Sequence, residues 1–150
     1  MLLPLSFSQQ QARHLELCAV RPLNEGGHQK AVFVWAAWSL GKYPALRWLH
    51  SSQAGAKMTP ATAGKMKAEG MKAGVPDIFL DVPRRGFNGL RIELKVPEQR
   101  NTKGTIAKSK GVLSAEQKEW LAHYTASGFC AHVCYGWEDT VRVIESYLNA

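Results

Sequence analysis

Apolar positions along the chain recur at two periods, 3.6 and 2, and divide it into short alternating helical and extended segments. Ser6 or Ser8 can cap a helix through about Ala19, with Leu15, Cys18 and Ala19 on one face, and Pro22 prevents its continuation. From His28 to Leu40, the spacing of Val32, Trp35 and Ala36, with Phe33 and Ala37 beside them, predicts a largely buried helix stopped by Gly41 and Pro44. Leu46 to His50 reads as a short strand and Ser51 to Thr59 as a loop. Pro60 opens a short helix through about Glu69, ended by Gly70.

Two strand-like runs, Asp77 to Val82 and Gly89 to Val96, flank the turn segment Pro-Arg-Arg-Gly-Phe-Asn and are expected to pair as a hairpin. Pro97 to Gly111 reads as a basic loop. Ser114-Ala115-Glu116-Gln117 then opens a helix to about Ser127, with Trp120, Leu121 and Tyr124 inward, and Gly128 ends it. Phe129 to Tyr135 is a further strand, and Trp137 to Leu148 a last helix with Val141, Ile144 and Leu148 on one face. This order predicts an α/β domain over residues 24–150, a mixed central sheet flanked by helices, preceded by a helical extension over residues 1–23.

A chain of 150 residues that is 45% hydrophobic can bury a core without metal or disulfide, which excludes the disordered and disulfide-scaffold classes. Cys18, Cys130 and Cys134 follow no framework spacing, and Met1 to Leu5 lacks a basic leader and is broken by Pro4. The longest apolar run, Ala31 to Trp38, is far short of the roughly 20 residues that span a bilayer. A cytoplasmic protein with reduced thiols and no membrane partner is expected.

Charge changes the picture more. The net charge is +7, and residues 57–110 alone carry an excess of seven bases over acids, so the flanks are neutral as a group. A local basic excess is the footprint expected of a protein that meets phosphates, and Lys72, Arg84, Arg85, Arg100, Lys103, Lys108 and Lys110 are its nucleic-acid-binding candidates.

Alternation along the second hairpin strand places Arg91, Glu93 and Lys95 on one face and Leu90, Ile92, Leu94 and Val96 on the other. Asp77, directly after Pro76, starts the neighbouring strand, so its carboxylate can approach that of Glu93. Two close carboxylates repel unless a cation sits between them. Carboxylate, backbone carbonyl and water are the oxygen ligands that Mg²⁺ or Mn²⁺ prefers, with positions left for phosphate oxygens.

Gly74-Val75-Pro76-Asp77-Ile78-Phe79-Leu80, then Leu90-Arg91-Ile92-Glu93-Leu94-Lys95, then Leu113-Ser114-Ala115-Glu116-Gln117-Lys118-Glu119-Trp120 and Gly128 together resemble the virus-type replication-repair nuclease (VRR-NUC) family, a branch of the PD-(D/E)xK nucleases, over roughly residues 24–148. The resemblance implies a restriction-endonuclease-like core and a Mg²⁺- or Mn²⁺-dependent deoxyribonuclease of the stand-alone phage or prophage type, a homodimer acting on branched or junction DNA. It implies that Asp77, Glu93 and the Leu94 carbonyl hold the metal, that Lys95 orients or helps deprotonate the attacking water, and that Glu25 is an auxiliary acid. Gln29 and Gln117 would sit near the site.

Taken singly, these residues have plainer readings. Asp77 fits a strand-start aspartate, and Glu93 and Lys95 a solvated strand face. Glu25, followed by Gly26 and Gly27, can precede the helix and reach a metal only through water, while Gln117 completes a capping box with Ser114. Cys130, His132 and Cys134 read as core thiols and a satisfied histidine rather than a zinc site, and the five tryptophans as core. His50 and His123 show no sequence partner and read as surface or packing residues. The alternative function is a non-catalytic nucleic-acid-binding, recombination or packaging subunit on a nuclease fold.

Overall fold

The strand Leu90–Lys95, β3, runs through the centre of the domain, and all six of its residues are buried. The computed structural model describes residues 23–52 and 58–149, so the helix expected over residues 6–19 and Cys18 lie outside it. On one edge β3 pairs antiparallel with β2 (Ile78–Leu80), which pairs antiparallel with β1 (Leu49–Ser51). On its other edge it pairs in parallel with β6 (Cys130–Tyr135), completing a mixed four-stranded sheet of order β1-β2-β3-β6.

Helices cover both faces. α1 (Glu25–Trp38) and α4 (Trp137–Leu148) pack Val32, Ala36, Ile144 and Tyr147 against Ile78, Leu80, Leu90 and Ile92, and Cys134 joins this core. Each fully buried aliphatic side chain there contributes about 1.5–3 kcal/mol. α3 (Ala115–Ala126) covers the opposite face, and α2 (Pro60–Ala68) buries no residue. The mixed sheet between helices is the predicted architecture, and α4 spans the residues expected of it.

Four local expectations are corrected. α1 begins at Glu25, not His28, because the Asn24 side chain accepts a hydrogen bond from the Gly27 N–H at 2.8 Å and caps a turn that two glycines would otherwise weaken. Residues Pro44–Trp48 form a 3₁₀ turn, favoured by the fixed φ of Pro44, and only Leu49–Ser51 is extended. The 97–111 segment contains a two-stranded ribbon, β4 (Gln99–Arg100) with β5 (Ile106–Lys108), turned at Gly104 with φ 79°. Finally, the charged face of β3 is not solvated: α3 and the strand's neighbours enclose it.

The hairpin turn joining β2 to β3 also departs from pattern. Arg84 and Phe87 exchange backbone hydrogen bonds of 3.2 and 2.8 Å around Arg85 and Gly86, whose φ values are 52° and 81°. Positive φ at both central residues marks a type I′ turn, where Asn-Gly is the favoured pair.

Candidate metal centre

The end of β3 and the start of β2 meet where the sheet opens to solvent. Strict alternation sends Glu93 and Lys95 to the face under α3, while the antiparallel register Ile78↔Ile92 brings Asp77 alongside. The Asp77 Oδ2 accepts a hydrogen bond from the Leu94 N–H at 2.8 Å, which fixes its carboxylate against the strand. In an extended strand one residue's N–H and C=O face the same edge, so the Leu94 carbonyl also lies on the Asp77 side. Gly74 makes the approach feasible. Its φ is +83°, and a Cβ there would meet Glu116 Cβ at 2.6 Å, so only glycine lets this loop rest on the first turn of α3.

Glu25 arrives from the first turn of α1. One oxygen each from Glu25, Asp77 and Glu93 lies within 4.8 Å of the others, graded from exposed through half-buried to buried. Lys95 donates to Glu93 Oε1 at 2.8 Å and to Glu25 Oε1 at 3.3 Å, and Gln117 Nε2 donates to the same Glu93 oxygen at 2.5 Å. The other Glu93 oxygen, Oε2, is buried without any hydrogen-bond partner.

The electrostatics follow from this crowding. Burial, opposed by the Lys95 hydrogen bond and reinforced by Asp77, pushes the Glu93 carboxyl up to about 7. Burial likewise raises Asp77 against the opposing Leu94 N–H. Burial alone would lower Lys95, but Glu93 and Glu25 outweigh it and keep the ammonium protonated above its ordinary range. Three carboxylates against one ammonium, with a buried oxygen left unsatisfied, is a donor set short of positive charge. A divalent cation with oxygen preference fits it.

The structure thus brings together Asp77, Glu93, Lys95, Glu25 and Gln117. Gln117 has two roles at once, because its Oε1 accepts from the Ser114 N–H in the capping box while its amide reaches Glu93. Gln29 is half-buried one helical turn after Glu25 and makes no hydrogen bond to the acids. The solvated-face reading of Glu93 and Lys95 fails, since their side chains are 1% and 8% exposed.

The basic candidates divide into groups. Arg100, Lys103, Lys108 and Lys110 lie on the ribbon and its return, where every residue from 100 to 110 is exposed. The ribbon returns beside the acids: Gly111 N–H donates to the Val96 carbonyl at 2.9 Å, and Lys110 sits over the Tyr135 ring, 4.9 Å from its centroid. Lys72 is exposed on the loop that leads to Asp77. Arg84 and Arg85, by contrast, lie at the hairpin turn, at the opposite end of β3 from Glu93 and Lys95.

Several residues were not singled out by sequence. Arg91, third member of the charged face, is enclosed by Phe79, Tyr124 and Phe129 with ring centroids 4.2–5.1 Å away, and it pairs with Asp81 at 2.8 Å. His28, buried in α1, accepts a hydrogen bond from the Trp137 N–H at 3.2 Å and ties the Glu25 helix to the start of α4. No sequence spacing signals a contact across 109 residues. His50 packs edge-on to Phe79 and His123 against Trp120 and Tyr124, as packing residues, whereas Trp48, against expectation, is 57% exposed rather than core. Cys134 is buried as expected, and Cys130 Sγ lies 3.3 Å from His132 Nε2.

Among the described residues no helix is long and apolar enough to cross a membrane. No protein-family model matches the chain, and no curated protein matches it. A solved structure of a VRR_NUC domain protein superimposes with a TM-score of 0.61 at 27% sequence identity, covering 86% of this chain and 91% of that one. The chain is therefore similar in both fold and sequence to a VRR_NUC domain protein, a likeness that supports the VRR-NUC family and a nuclease fold.

Proposed function

We infer that the protein is a metal-dependent deoxyribonuclease that hydrolyses phosphodiester bonds at the Glu25–Asp77–Glu93–Lys95 cluster. The observation that carries this reading is the buried Glu93 Oε2 without a partner, on a carboxylate that has an oxygen within 4.8 Å of an oxygen of each of two further acids. An unsatisfied buried carboxylate oxygen costs several kcal/mol unless a ligand reaches it. Asp77, Glu93, Glu25 and the Leu94 carbonyl would hold the ion, Mg²⁺ or Mn²⁺. When bound it would neutralise phosphate charge and lower the pKa of a water.

The chain's own residues supply the rest. Lys95, protonated and anchored by Glu93, donates toward an incoming water or phosphate oxygen and meets the negative charge that develops on the phosphoryl oxygens. Gln117 holds the Glu93 carboxylate from the α3 side, leaving one oxygen free. The exposed ribbon bases beside the cluster complement a polyanionic backbone.

A stand-alone phage or prophage enzyme acting on branched DNA as a homodimer is the finer form of the reading, because a symmetric pair of small sites suits a two-fold junction. Sedimentation should give a dimer at micromolar protein, and a monomer with and without DNA would remove that part. The activity itself is tested with labelled duplex, single-stranded, flapped and four-way DNA in Mg²⁺, Mn²⁺ and EDTA. Metal-dependent cleavage strongest on the branched forms is expected. No nicking of any form, with binding indifferent to EDTA, would favour the non-catalytic binder.

A further inference from the structure

On the other face of the sheet, away from the acids, the hairpin turn, β6 and α4 enclose a cleft of about 260 Å³. Arg85 and Phe87 line it from the turn, Cys130 and His132 from β6, and Arg142 and Ser146 from α4. Cys130 and His132 pair in register with Leu90 and Ile92, so they share the face opposite Glu93 and Lys95. The cleft shares no residue with the candidate metal centre.

Its chemistry is uneven in an informative way. Phe87, 38% exposed, is its open aromatic wall, while Tyr147, also at the cleft, is only 3% exposed. Two guanidinium groups, an imidazole and a hydroxyl border that wall. Arg142 is partly neutralised by an ion pair with Asp139, but Arg85 has no ion pair or hydrogen bond to the described residues.

Arg85 is also the non-glycine residue with positive φ among the described residues, at the first central position of a type I′ turn. Asn or Asp would adopt that conformation with less strain and equal polarity. An unpaired guanidinium held in a strained backbone at the mouth of a cavity is the pattern of a ligand clamp.

The geometry points to a binding site for a single nucleotide: its phosphate taken by Arg85 with His132 and Ser146, its base laid against Phe87. At about 260 Å³ the cleft is too small for a dinucleotide cofactor. The phosphate can come from a free nucleoside monophosphate or from the 5′ end of a strand, and the recognition chemistry is the same. This site stands independently of the proposed nuclease activity.

The test is calorimetric titration of the full chain in EDTA with adenosine 5′-monophosphate, adenosine and inorganic phosphate. The nucleotide is expected to bind saturably, and adenosine and inorganic phosphate each about tenfold or more weaker, as loss of a charge-assisted contact or of the aromatic wall requires. Arg85→Asn should bind the nucleotide at least about tenfold more weakly while melting at a higher temperature, since it relaxes the turn. Ser146→Trp, at an exposed position, should block the cleft without disturbing the core, and Glu93→Gln should bind the nucleotide as wild type does. Competition by a 5′-phosphorylated oligonucleotide, but not by its unphosphorylated twin, assigns the source to strand ends, and lack of competition assigns it to free nucleotide. No saturable binding to wild type, or undiminished binding in both Arg85→Asn and Ser146→Trp, would overturn the proposal.

Discussion

Burial beside Asp77 holds the Glu93 carboxyl at about 7, so the metal-free fold keeps a proton that an unfolded chain has already released. A group bound more tightly in the folded state lends stability at low pH that is lost as pH rises. Between the ordinary glutamate value of 4.5 and about 7, the metal-free protein should therefore become less stable, and Asp77 shifts with the same sign. A divalent cation bound there would replace the proton and flatten the loss. Melting temperature followed across that window in EDTA and in Mg²⁺ checks this, and curves of equal slope would show that the ion does not bind here. Asp77, Glu93 and Lys95 were legible in the sequence because alternation and the hairpin register are short-range rules. Arg91 was legible only as to its side, since its burial depends on Phe79 of β2, Tyr124 of α3 and Phe129 just before β6.

Elements position the site through close approaches that a hydrophobic pattern does not encode. Gly74 rests on the first turn of α3, with Glu116 backbone carbon 2.7 Å from where a Cβ would stand and φ +83° besides. Gly74→Ala must therefore push the Asp77 loop off the helix and separate the loop-borne carboxylate from Glu93. A loss of about 2 kcal/mol or more is expected from strain and lost packing, with weaker Mn²⁺ binding, read by melting and by titration with the ion. Wild-type values for both would show that the contact does not position the site. The long elements were predicted well, α4 to the residue, because periodicity dominates there. Where the prediction missed, a single side chain decided the outcome: the Asn24 cap rescued a glycine-weakened helix start, and Pro44 turned an expected strand into a 3₁₀ turn. The ribbon of β4 and β5 has no signature in the sequence because it has no fully buried residue and so no apolar alternation.

Across the whole molecule, the acids and the basic ribbon lie at the same end of the sheet, which is where a phosphate backbone would bring them into use together. Each phosphate neutralised by a base releases counterions and lowers log affinity by about 0.9 per log unit of salt on duplex DNA. Charge reversal at Lys103, Lys108 and Lys110 should flatten that slope, and an unchanged slope would place the contact surface elsewhere. The central claim, that Asp77 and Glu93 serve a metal rather than the fold, is tested by separating cleavage from binding. Without the ion, and at a pH above about 7 where Glu93 has released its proton, each carboxylate is an anion facing a polyanion, so its removal should relieve repulsion while removing a ligand of the candidate metal site. Lys95→Ala should differ in kind, losing cleavage but also a little affinity. The decisive measurement is single-turnover cleavage in Mg²⁺ alongside DNA affinity in EDTA for folded Asp77→Asn and Glu93→Gln. The predicted result is cleavage lost by orders of magnitude with DNA held at least as tightly as by wild type; near wild-type cleavage by folded Glu93→Gln would contradict it.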